Sequence, residues 1–503
     1  MTKNIQEITI VGGGTAGWMA ANLLLNKWPS CKINLVESKD IGSIGVGEGS
    51  TPYLKTFFRS LGISDGEWMP QCNATYKAGI RFPGWSSMPG YGSYFHPFYS
   101  QLDLEVGKDF FHQCNEKRRG GRNSVHPDHY FVANQIAAQG LAPVPVEELP
   151  FEIDYGYHFD SLLLGKFLKE KALNEGLIHL IDNVQGVELG DQGEIEYVVT
   201  DKCGKIGGDF FLDCTGFRGI LVNKAYSIPF VSFSDSLFND AAVTVATDID
   251  KKGPLRSETL STALNSGWAW KIPLTNRYGN GYVYSSQFLE KSEAEAELLK
   301  HLELEGEEDL AVRHIKIRVG RLQEHWHKNC LAVGLSQGFV EPLEATTLML
   351  IQYTVENFIA RYDPCKPILD NAQEGYNDNI NQLIDGIRDY IVAHYKLNTR
   401  TDTTYWKECR EDAVISDTLA AILHAWDNGL DVDQELSQRR HKLSYLRPSW
   451  YVILSGMGRF PSAGQAPKDQ SCLQASSHCK SLAKTTFRDH WLQLSKMARL
   501  DQN

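Results

Sequence analysis

This 503-residue chain has no uninterrupted apolar stretch of the roughly 20 residues that a membrane-spanning helix needs, so no membrane association is expected. Its ten cysteines form no C-x-x-C pair and no Cys/His ligand spacing. That argues against a zinc site or a disulfide framework and for a reducing, cytoplasmic setting. Basic residues gather in no dense stripe: 50 Lys and Arg against 62 Asp and Glu give a formal charge of −12, which argues against a nucleic-acid partner. The short run Lys117-Arg118-Arg119 passes at once into Gly120-Gly121 and reads as a loop. A strand begins within the opening residues, which leaves no room for a signal peptide. There is no internal repeat and no low-complexity tract. His325-Trp326-His327 reads as a pair of surface histidines, and no metal is expected. What remains is an ordinary globular composition, 42% apolar and 22% charged, long enough for a sizeable core and more than one structural unit.

What is present begins at once. Ile8-Thr9-Ile10-Val11 reads as a buried strand, Gly12-Gly13-Gly14-Thr15-Ala16-Gly17 as a turn, and Trp18 to Leu25 as a helix. Glycines at 12, 14 and 17 give G-x-G-x-x-G: the first permits the sharp turn, the second admits a pyrophosphate close to the backbone, and the third lets helix and strand pack. Free N–H groups at the helix start, around Thr15 and Ala16, then face the phosphates. A second strand, Ile33 to Val36, ends in Glu37, twenty residues past Gly17, where a carboxylate can hold a ribose hydroxyl pair. Strand, turn, helix, strand and acid together predict a dinucleotide site.

Strand–helix alternation predicts an α/β layer structure with a Rossmann-type module. The loop Gly45-Val46-Gly47-Glu48-Gly49 feeds a helix at about 53–61, and residues 75–82 alternate as one strand. Residues 160–174 read as a helix, and 177–181, 194–199, 208–213 and 328–334 as strands. A long helix is expected over 347–362, mostly helical sequence over 364–433, a loop over 456–471 and a final helix over 480–500. The cofactor module is thus split over 1–362, with a mixed β insertion near 80–160 and 220–330, and a helical portion over 363–503 completes the substrate pocket. Two further turns follow strands, Asp213-Cys214-Thr215-Gly216 and Val333-Gly334-Leu335-Ser336. Separated turns of this kind suit a cofactor that spans several strand ends, FAD rather than NAD. No second G-x-G-x-x-G marks a built-in nicotinamide site.

Three segments in order, Gly12 to Ala21, Gly267-Trp268-Ala269-Trp270-Lys271-Ile272-Pro273 and Gly338-Phe339-Val340-Glu341-Pro342-Leu343-Glu344, resemble the flavin-dependent tryptophan halogenase family over about residues 5–460. The W-x-W-x-I-P pattern distinguishes that family from related flavin monooxygenases, whose fold it shares. The resemblance implies that a separate flavin reductase supplies FADH2, which with O2 oxidises a halide ion to hypohalous acid. The acid then crosses an internal tunnel to a lysine beside a small electron-rich aromatic substrate. Family members are often dimers, and nothing in this sequence marks an interface.

By resemblance the catalytic pair is Lys77 and Glu344. Read from spacing alone, Lys77 shares a strand face with Thr75, Gly79 and Arg81, which is equally the pattern of a solvated face. In function its ammonium could hydrogen-bond hypohalous acid, or its neutral amine could form an N-haloamine. Glu344 could accept the departing ring proton, or simply favour a helix N-terminus. Thr346 and Thr347 start the long helix, a natural halide site or a plain threonine cap. The family usually has Ser-Thr-Gly after the glutamate; this chain has Ala345-Thr346-Thr347, which leaves halide preference open. Trp268 and Trp270 point one way from a strand, as core or as a wall separating substrate from flavin. His96 and Phe98 resemble the pair that sandwiches an indole. The stacking tryptophan of the tryptophan-specific members is replaced by Tyr445 or displaced to Trp450, and the residues that grip a free amino acid are not evident. An indole-type substrate, not necessarily free tryptophan, is therefore expected. The competing readings are a flavin monooxygenase that hydroxylates an aromatic ring, and a non-catalytic protein that uses the fold as a scaffold.

Overall fold

The computed structural model describes residues 5–40, 48–307, 309–362, 371–461 and 470–500. One layer is a six-stranded sheet in the order 326–327, 330–332, 210–213, 7–11, 32–37, 178–181. The five strands from Cys330–Ala332 to Ile178–Ile181 run parallel, and only the two-residue edge strand Trp326–His327 is antiparallel. Strands so far apart in sequence meet because the first strand is apolar on both faces: Ile8, Ile10 and Val11 are almost wholly buried. Helix Thr15–Lys27 covers one side, with Trp18 to Leu24 buried. The strands of this layer therefore come from distant parts of the chain, between residues 7 and 332.

A second, seven-stranded sheet runs 313–316, 241–248, 277–284, 267–273, 258–263, 79–83, 93–97. Its pairings are antiparallel except that of Glu258–Ala263 with Gly79–Pro83. Within it Trp270 lies opposite Gly281, and the missing side chain matters: a Cβ on Gly281 would stand 2.2 Å from the Trp270 ring.

The expected single strand over 75–82 is two strands. Thr75–Lys77 joins Gly156–Phe159 in a small three-stranded sheet with Glu48–Gly49, whereas Gly79–Pro83 belongs to the large one. The break falls at Ala78, whose N–H donates to the Ser257 carbonyl at 2.7 Å and whose carbonyl accepts from Phe98 N–H at 2.9 Å. The strand changes sheet there, so Lys77 turns into the interior with no exposure. The solvated-face reading of Lys77 is thereby corrected.

Helices Thr347–Arg361, Ala372–Lys396, Asp417–Asp427 and Arg447–Gly456 form most of the C-terminal half. The expected helix over 480–500 is interrupted: Gln470–Thr486 and His490–Leu500 flank the short strand Phe487–Asp489, which pairs with Leu141–Pro145. Tertiary pairing here overrides helical periodicity. It brings fully buried His490 against the lysine strand, where its Nε2 accepts from Tyr76 N–H at 3.0 Å. His325 is also buried, with Nε2 3.0 Å from Asn381 Oδ1, which corrects its surface assignment. Among the described residues no helix is long and apolar enough to cross a membrane.

Gly281→Ala should force Trp270 from its seat and destabilise the fold by about 1–3 kcal/mol. Thermal unfolding with tryptophan fluorescence checks this; an unchanged Tm would show that the Trp270 seat is not tightly packed.

Candidate active site

The glycine turn shows the geometry its spacing implies. Gly12 has φ +115°, and a Cβ there would lie 2.2 Å from the Cys214 carbonyl oxygen. A Cβ on Gly17 would lie 2.0 Å from the Gly12 carbonyl oxygen, so both positions exclude side chains by close packing. Gly14 differs: among the described residues nothing stands within 4 Å of where its Cβ would be. The turn is open to a ligand at that one point, and Gly14 caps the helix without a side-chain hydrogen bond, leaving N–H groups free for an anion. Gly12, Gly14, Thr15, Ala16 and Glu37 all border one cavity of about 720 Å³. These residues fit the phosphates and ribose of a dinucleotide such as FAD.

Glu37 is already engaged: its Oε2 accepts from Lys169 Nζ at 2.7 Å and lies 2.8 Å from His179 Nε2. Gly334 packs closely, since a Cβ there would lie 2.8 Å from the Ala16 Cβ, and the neighbouring Leu335 lines the cavity wall. Gly47 lies outside the described residues.

The same cavity extends past Trp268 and Trp270 to Lys77. The two indole rings are 6.0 Å apart and inclined at 54°. Trp268 is held by Glu341, which is buried and accepts on Oε2 from Trp268 Nε1 at 3.1 Å, Asn239 Nδ2 at 3.0 Å and Tyr395 OH at 2.5 Å. Lys77 Nζ is buried and has no hydrogen-bond partner among the described residues, 5.5 Å from the Phe98 ring centroid. Burial pushes its amine down from the usual 10.5 to about 7, against a weaker opposing pull from Glu344.

Glu344 is also buried, but it is clamped. Both carboxylate oxygens lie 3.0 Å from His96 Nδ1, and Oε1 lies 3.0 Å from His394 Nε2. Burial alone would raise its pKa; the two histidines outweigh burial and hold it down to about 2. The other ring nitrogen of His96 is 3.0 Å from Ser449 Oγ. The Tyr445 ring stacks on Tyr390 at 3.8 Å and 14°, with its centroid 6.3 Å from that of His96. Trp450 stands behind Tyr390 with 1% exposure, and its Nε1 donates to the Tyr445 carbonyl at 3.2 Å.

The turn after Glu344 passes through Ala345 at φ +57°, a left-handed residue that is not glycine, and opens helix Thr347–Arg361. Ala345 and Thr347 line the cavity, and Thr346 caps the helix without a side-chain hydrogen bond. Sequence reasoning missed His394, Tyr390, Ser449 and Glu341. Tyr390 and His394 stand one helical turn apart, but that spacing is common on any packed helix; Glu341 lay inside a recognised motif, and its acid with three donors was not legible there.

Residues 7–471 match the tryptophan halogenase family model. The chain is 36% identical to 7-chloro-L-tryptophan 6-halogenase KtzR of Kutzneria sp. (strain 744), over 98% of this chain and 100% of the relative. It is also 36% identical to tryptophan 6-halogenase SttH of Streptomyces toxytricini, over 91% of this chain and 90% of that one. Among solved structures, BrvH, a flavin-dependent halogenase from Brevundimonas sp. BAL3, superposes with a TM-score of 0.85 at 32% identity, covering 98% of this chain and 99% of BrvH.

Lys77→Met, which keeps the stem and removes the buried amine, should raise Tm at pH 7 by about 1 °C per kcal/mol recovered. The unfolded chain holds the Lys77 proton up to 10.5 and the folded chain only to about 7. The gain should therefore be largest below about pH 7 and fade towards 10.5. Thermal scans across that range check it; a lower Tm for the variant would show that the amine is paired.

Proposed function

The chain belongs to the tryptophan halogenase family, a family of flavin-dependent enzymes, and from that premise we propose that it halogenates an indole-type ring with hypohalous acid delivered to Lys77. The observation that carries this reading is continuity. One cavity joins the open glycine turn to a buried, unpartnered amine, with Trp268 and Trp270 in its wall.

Gly12, Gly14, Thr15, Ala16 and Glu37 would hold FAD, delivered reduced by a separate flavin reductase. Bound reduced flavin supplies the two-electron chemistry by which O2 turns halide into hypohalous acid. Helix 347–361 aims its N-terminus, with the Thr346 and Thr347 N–H groups, at the anion. The tryptophan wall keeps a ring substrate out of the flavin compartment, which disfavours direct hydroxylation. Lys77 as ammonium donates to the oxygen of hypohalous acid and draws electrons from the halogen. Glu344, held ionised by its histidines, receives the ring proton; a σ-complex proton is acidic enough that a weak base suffices. His96, Phe98 and Tyr445 supply ring and edge contacts on the substrate side. With Tyr445 already stacked on Tyr390, the reading favours an indole-type substrate over an obligatory free amino acid.

Two measurements test this. With a flavin reductase, FAD, NADH, O2 and an indole panel, product mass should follow the halide offered, and Lys77→Ala should lose halogenated product by about 100-fold or more. Product that gains oxygen whatever the halide would favour the hydroxylase.

The second is pH. Product formed per flavin oxidised should fall as pH rises through the Lys77 value of about 7, because the ammonium is the working form. Glu344 and His158 face the amine and stay ionised and neutral, respectively, across that range. Glu48, on the same wall, is pushed up by burial to about 7, so the profile is repeated with Glu48→Gln, which should keep the half-point. A yield that rises with pH would favour the N-haloamine.

A further inference from the structure

Behind Lys77 lies a chain of hydrogen bonds whose directions are dictated from one end. Pro273, last residue of the tryptophan-motif strand, presents a carbonyl oxygen that can only accept. Thr75 Oγ1 donates to it at 2.7 Å. A hydroxyl has one proton, so towards His158, whose Nδ1 is 3.2 Å away, Thr75 Oγ1 must accept. His158 Nδ1 therefore carries the ring proton. The imidazole is wholly buried, and burial together with the nearby Lys77 charge holds its pKa well below the ordinary value, so it is neutral. Its Nε2 is then an acceptor and takes the Thr259 hydroxyl proton at 2.9 Å. Thr259 Oγ1 is left with lone pairs only.

That oxygen and the unpartnered Lys77 amine flank one gap. Both residues border the cavity. A Cβ placed on Gly49 would lie 3.2 Å from Lys77 Nζ and 3.5 Å from Thr259 Oγ1, so a side chain there would crowd both groups at once. An ammonium with three unused donors and a hydroxyl oxygen fixed as an acceptor thus meet at one point of the cavity wall, beside Gly49.

We propose that Thr259 is a catalytic residue that accepts the O–H hydrogen of hypohalous acid while Lys77 donates to its oxygen, so that the pair orients the halogen towards the ring, with His158 and Thr75 as positioning residues. This rests on the halogenase reading above and adds the second contact. When the ring carbon attacks, the carbon–halogen bond forms, the oxygen–halogen bond breaks and its electron pair stays on oxygen. That oxygen keeps its own hydrogen, takes a proton from Lys77 and leaves as water. Glu344 takes the ring proton, which returns to Lys77, so the sum is ring C–H and hypohalous acid in, ring C–halogen and water out. With one contact the reagent could pivot about the amine; with two its axis is set.

The test measures how much of the hypohalous acid formed reaches the ring and how much is caught by an added dimedone-type scavenger. Thr259→Val, near-isosteric but without the oxygen, should lower the share reaching the ring by about five- to tenfold, and Thr259→Ser should restore it. Equal partition in wild type and Thr259→Val, or a serine variant as poor as the valine one, overturns the proposal. A second arm needs no variant: 15N NMR of histidine-labelled, cofactor-free protein should show His158 as the neutral Nδ1–H tautomer, and an Nε2–H form would overturn the chain of donors. Lys77→Ala run alongside separates the two levels: product retained there defeats the halogenase reading itself, whereas product lost there with Thr259→Val unaffected defeats only the role of Thr259.

Discussion

The structure depends on keeping one amine dry. A lysine side chain in water is solvated, charged and chemically passive. Here the same group stands where a strand crosses between two sheets, walled by Gly49, Phe98, His158 and Thr259, and no side chain among the described residues satisfies it. A buried, unpartnered cation is costly, and the fold meets that cost by drawing the lysine pKa down rather than by pairing it. Glu344 is treated oppositely. It too is buried, yet two imidazoles contact its carboxylate and keep it charged. The two groups thus diverge in behaviour because one is left alone and the other is held.

The tryptophan motif serves both ends of this arrangement. Its indoles form part of the cavity wall, with Trp268 tied down by Glu341 and Trp270 seated over Gly281. Its last residue, Pro273, starts the hydrogen-bond chain that ends at Thr259 beside the amine. Glu341 also lies three residues before Glu344 in the same turn. The wall, the acid and the polar gap at Lys77 are therefore not independent parts, and a change in one strand is felt in all three.

What could be read from the sequence is what the local chain decides. Gly12, Gly14 and Gly17 are demanded by a turn, a ligand approach and a helix–strand contact within six residues, so spacing sufficed; Glu37 follows from the next strand. Trp268 and Trp270 point the same way because a strand has period two. The environment of Lys77 was not legible in this manner. Alternation placed it beside Thr75 and Arg81 as though on a wet face, and only the change of sheet at Ala78 turns it inward. The clamp on Glu344 brings together His96, far upstream, and His394, fifty residues on; no window of sequence contains both. The break at Phe487 was hidden for the same reason, since its pairing partner lies near residue 143.

That break bears on how the molecule is made. His490 accepts the backbone N–H of Tyr76, the residue next to Lys77. A ribosome adding residues one by one exposes the first strand early, yet the backing for Tyr76 emerges only after more than four hundred further residues have been joined. Until then that N–H has no imidazole to meet, and the neighbouring amine lacks the finished scaffold behind it. Nascent chains should therefore complete the six-stranded layer well before the surroundings of Lys77, which are finished last.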